Sequence, residues 1–86
     1  MDLFTKASVE SILQSKRDSN EISAYFINDI ELHIKVGRRG KVGKIDISNL
    51  SGKELISVLY SKISKDVEEH FKREIRNIKI RRIIND

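Results

Sequence analysis

From Ile22 to Val36 most of the apolar residues keep to alternate positions. Ile22, Ala24, Phe26, Ile30, Leu32, Ile34 and Val36 are all even-numbered, and only Asn28 interrupts the series. Apart from Ile27, the odd positions carry Ser23, Tyr25, Asp29, Glu31, His33 and Lys35. A period of two is the mark of a half-buried β-strand. One strand of that length would run about 50 Å, too long for a small domain, so the chain turns near Asn28-Asp29. A three-residue loop over 27–29 pairs Phe26 with Ile30 and Ala24 with Leu32, which keeps the apolar face intact. A second hairpin closing over Gly37-Arg38-Arg39-Gly40 pairs Val36 with Lys41, Leu32 with Ile45 and Ile30 with Ile47. The pattern therefore predicts strands at 22–27, 30–36 and 41–48.

On either side of this meander the period changes to that of helices. Phe4, Val9, Ile12 and Leu13 fall near one face of a helix over 3–16, with Ala7 and Lys16 close by, and Arg17-Asp18-Ser19-Asn20 supplies polar residues that end it. Ser51-Gly52-Lys53-Glu54 is a capping box, S-x-x-E, opening a helix over 51–64 that holds Leu55, Ile56, Val58, Leu59 and Ile63. Val67, Phe71 and Ile75 continue at four-residue spacing. That spacing drifts about 40° per step on a 3.6-residue helix, so a break is expected near 64–66 and a second helix over 66–77. The tail 78–84, "IKIRRII", is β-branched and partly alternating, and reads as a fourth strand in preference to a helical continuation. The fold class predicted is a small single α+β domain, residues 1–86, with helices on one face of an antiparallel meander.

Composition narrows the function. An 86-residue chain has room for one domain and a small core. It has no cysteine, hence no disulfide, thiolate zinc site or thiol nucleophile. No apolar run approaches the ~20 residues that cross a bilayer. "MDLFTKASVE" has an early acid and no long apolar stretch, so no signal peptide and no membrane partner are expected, and the expected location is cytoplasmic.

Charge is the most informative feature. The formal net charge of +4 hides two acid-poor windows. Residues 35–44 carry five Lys/Arg and no acid, and residues 72–82 carry six against one Glu. The rest of the chain sums to −6. A solvated surface is usually mixed in sign, so concentration of cations in two windows points to a polyanionic partner.

The glycine-lysine stretch at 36–44, "VGRRGKVGK", is not a P-loop. Five residues separate Gly37 from Gly43 where the motif needs four, Ile45 stands where the hydroxyl should be, and a strand follows where a helix should. Lys53 at a helix start offers one phosphate contact, although the capping box alone accounts for the sequence there. His33 and His70 are the only histidines, far apart and without thiols, so no metal site is expected. His33 is placed on the exposed sheet face beside Lys44, and His70 on a helix surface. Asp66, Glu68 and Glu69 cluster at a helix start, where the dipole favours acids, and no serine sits in a nucleophile elbow. No enzyme activity and no cofactor are expected.

The function predicted is nucleic-acid binding led by the backbone, with duplex favoured because aromatics are only 6% of the chain. Arg38, Arg39, Lys41 and Lys44 on the hairpin tip form one contact set. Lys53 is a further contact, and Lys72, Arg73, Arg76, Lys79, Arg81 and Arg82 form the second set. In element order, residues 3–63 resemble a double-stranded-RNA-binding domain: helix, three-stranded meander, helix. That resemblance implies RNA contacts from a basic inter-strand loop and from lysines at the start of the last helix. Here Lys53 is the sole basic residue at that start, and the family's small-residue helix is absent. The alternative is a protein-interaction module, a homodimer or a grip on an acidic partner. Its support is the apolar stripe from Leu55 to Ile75 and the isoleucines Ile78, Ile80, Ile83 and Ile84.

Overall fold

Three short strands make one antiparallel sheet in the order β1 (Ala24–Ile27), β2 (Glu31–Lys35), β3 (Val42–Asp46) in the computed structural model, which describes residues 2–85. Helix α1 (Leu3–Asp18) precedes the sheet, and α2 (Gly52–Tyr60) and α3 (Val67–Asn85) follow it. This is the α+β arrangement that the two periodicities predict.

The β2–β3 register is the one the apolar pattern requires, with Leu32 opposite Ile45 and His33 opposite Lys44. Pairing ends at Lys35 and Val42, one step short of Val36 and Lys41. The β1–β2 register differs from expectation. Ile27 pairs with Leu32 and Phe26 with His33, so the turn holds Asp29 and Ile30 and not residues 27–29. Asn28 is the cause: its Oδ1 accepts the N–H groups of Ile30 and Glu31 at 2.8 and 2.7 Å. An asparagine that bonds its own downstream backbone fixes a tight turn. The shift reverses parity, sending Tyr25 and Ile27 inward and Phe26 outward.

The helices are capped by their own sequence. Asp2 Oδ1 accepts the Thr5 N–H at 2.7 Å, and Ser51 and Glu54 exchange the two bonds of the capping box. Asp66 Oδ1 accepts the Glu69 N–H at 3.1 Å at the start of α3. Asn20, at φ 64°, takes the left-handed position just past α1 that asparagine tolerates. Three helix ends differ from the prediction, α1 running on through Arg17 to Asp18. α2 stops at Tyr60, and Ile63 is buried from the linker instead of from a helix. α3 runs unbroken through 78–84, so the tail is helix and not strand. Ile78 continues the buried stripe of Val67 and Phe71, and Arg82 is tied to Glu54 of α2, which together hold the last turns in helical phase.

The core lies between the helices and one sheet face. Leu32, Ile34 and Ile45 meet Val9 and Leu13 of α1, Leu55, Val58 and Leu59 of α2, and Val67, Phe71 and Ile78 of α3. Phe4, expected on the inner face of α1, is exposed. Gly43 lets α3 sit down on β3, because a Cβ there would lie 2.6 Å from Cβ of Val67.

His70 departs most from expectation. It is 1% exposed, since it follows Val67 by three residues and shares its buried side. Its Nδ1 lies 3.5 Å from the Arg73 guanidinium, and its Nε2 has no hydrogen-bond partner among the described residues. A buried polar atom without a partner costs about 1–3 kcal/mol. His70→Leu is therefore expected to raise Tm by roughly 4–8 °C, the shift that about 1 kcal/mol produces in a domain of this size. A lower Tm in calorimetry would contradict this.

Candidate nucleic-acid interface

The strand and helix directions give the molecule two ends. Ser23 Oγ donates to the Gly37 carbonyl at 3.0 Å, and Lys16 Nζ to the Ser61 carbonyl at 3.3 Å. Lys41 and Val42 line a cleft with Lys65–Glu68. The hairpin tip, the C-terminus of α1 and the 61–66 linker thus share one end. At the other end Thr5 packs against Gly52, and Glu54 binds Arg82.

Arg38 and Arg39 sit at the hairpin apex, exposed to solvent with Lys41. Gly37, at φ 77°, provides the backbone turn into that apex. The structure adds two cations that the charge windows missed. Lys62 and Lys65, both exposed, stand in the linker beside Val36 and Lys41. In sequence they lie in a stretch, 45–71, with a net charge of −2, which conceals them. Glu21 offsets part of this cluster. Burial works against its charge, but hydrogen bonds from Lys16 and the Ile63 N–H, and the charges of Lys16 and Lys62, hold its carboxyl below the usual range.

The second window divides by helix face. α3 runs beside edge strand β3, where Glu68 Oε1 accepts the Lys44 N–H at 3.4 Å and Lys79 lines a cleft with Asp46 and Asn49. Lys72 is four residues after Glu68 and seven before Lys79, so it shares that side. Lys44, Lys72 and Lys79 therefore line one edge leading away from the tip. Arg73 and Arg76 fall on the outer stripe with Ile80, Ile83 and Ile84. Arg82 is engaged: its Nε donates to Glu54 Oε2 at 2.7 Å and its terminal NH2 to Oε1. That pair, with the Ser51 N–H, holds the Glu54 carboxyl below its ordinary range. Lys53 is exposed at the start of α2, at the end opposite the tip, so tip and helix start do not form one surface.

Among the described residues no three His, Cys, Asp or Glu converge as metal ligands, and no helix is long and apolar enough to cross a membrane. Comparison of the chain with protein-family models, curated proteins and solved structures finds no match.

Proposed function

We propose that this chain is a non-enzymatic nucleic-acid-binding protein that grips a phosphate backbone with its hairpin tip and the β3 edge. The observation that carries the reading is the run of exposed cations from Arg38, Arg39 and Lys41, flanked by Lys65, through Lys44 to Lys72 and Lys79. None of these side chains is in an ion pair with a carboxylate among the described residues. Cations in that state are free to displace the counterions of a polyanion, which is the source of salt-dependent affinity. Binding to labelled duplex, read by anisotropy, is expected at ~50 mM salt and to weaken steeply by ~200 mM. No binding to any duplex or single strand at ~50 mM would contradict the proposal.

A second reading, a self-association module, is favoured by Ile83 and Ile84, 77% and 74% exposed on the outer stripe of α3. On that reading light scattering finds a dimer that Ile83→Asp dissociates; a monomer at high concentration counts against it.

A further inference from the structure

The sheet face turned away from the helices carries a pattern of its own. The pairings Phe26 with His33 and His33 with Lys44 make one cross-strand row of phenyl, imidazole and ammonium. The two rings meet edge to face, with centroids 5.5 Å apart and planes at 67°. His33 Nε2 lies 3.0 Å from Glu31 Oε2, a contact that holds the imidazole beside the phenyl ring. Phe26 nevertheless stays 56% exposed in the middle of a strand. The next row towards the tip is Ala24, Lys35 and Val42, and beyond it lie Arg38, Arg39 and Lys41. The row on the other side pairs Glu31 with Asp46. The face is therefore graded: cations towards the tip, an aromatic pair in the centre and carboxylates at the far end.

We propose that this face is a stacking platform for one unpaired base of a single-stranded nucleic acid. The base lies on Phe26, and its flanking phosphates run towards Lys35, Lys44 and the tip. This rests on the nucleic-acid reading above and names a ligand for it. Every base has a π face, and stacking on an exposed aromatic tolerates any sequence. A duplex keeps its base faces in its own stack, so it has no use for Phe26 and engages the cations alone. Glu31 and Asp46 repel phosphate, which confines the strand to the half of the sheet nearer the tip. The sparse aromatic content of the chain is no obstacle, since one exposed ring suffices for one base.

The chain has no tryptophan, so Phe26→Trp installs a single fluorescent reporter at the platform. Phe26 lies outside the buried core, and neither this change nor Phe26→Ala removes core packing. A single strand of about ten nucleotides is expected to quench the tryptophan of Phe26→Trp, while the matched duplex leaves it bright. Phe26→Ala is expected to weaken single-strand binding about ten-fold and to leave duplex affinity unchanged. Equal losses for both ligands, or single-strand binding without quenching, would overturn the platform. Duplex binding with no single-strand binding would also overturn it and leave the phosphate-led reading standing. Failure to bind either ligand would overturn both.

Discussion

Phe71→Ala is expected to leave the chain mostly unfolded at room temperature. Phe71 is buried to within 1% where α3 meets the rest of the core, on the stripe that also holds Val67 and Ile78. Removing a buried phenyl costs about 3–5 kcal/mol, the lost transfer energy plus the cavity it leaves. At roughly 0.05–0.15 kcal/mol per residue, a domain of this length has about 4–13 kcal/mol in total. The low end of that range is the relevant one, because a small chain without disulfides has little surface to bury. Ile83→Ala is the matched control: it truncates an apolar side chain of the same helix that is already in solvent. Urea denaturation is expected to show a folded baseline lost or much shortened for Phe71→Ala and a midpoint near wild type for Ile83→Ala. Similar midpoints for the two variants would mean that α3 is not docked through its Val67–Phe71–Ile78 side.

That contrast also marks how far the sequence could be read. The element order, the capping box and the β2–β3 register were legible because alternation there is clean: Leu32 and Ile34 face in, and Glu31, His33 and Lys35 do not. Strand β1 was not, because "AYFI" is apolar at nearly every position and alternation cannot choose a face. The side-chain amide of Asn28 made the choice, and it expelled Phe26 to the open face. The tail, where the pattern only slightly prefers a strand to a helix, is ambiguous for a related reason. Isoleucine at 78, 80, 83 and 84 satisfies a strand and a helix equally well, and only contacts with α2 and β3 decide between them. In the candidate interface, the two charge windows gave the exposed cations but not their grouping. Lys62 and Lys65 come to the tip through the 61–66 linker, Arg82 is withdrawn by Glu54, and Lys53 lies at the far end. Such groupings depend on helix direction, which no window of sequence contains.

The second large effect expected is on binding. Arg38→Ala/Arg39→Ala removes two apex cations that pack against nothing in the core, so the fold should be untouched. Each phosphate contact contributes about 0.9 to the slope of log affinity against log salt for duplex DNA, so two should contribute about 1.8. The loss should be uniform across unrelated duplex sequences, because a phosphate contact carries no base information. A loss confined to one sequence would instead place the arginines against base edges in a groove.

The measurement that tests the central claim most directly is that slope, taken by anisotropy for wild type and the double variant on the same duplex between ~50 and ~200 mM salt. The account expects a steep wild-type line and a variant line shallower by about 1.8, the two converging as salt rises. Parallel lines, or a wild type that does not bind at ~50 mM, would contradict a phosphate grip centred on the hairpin tip.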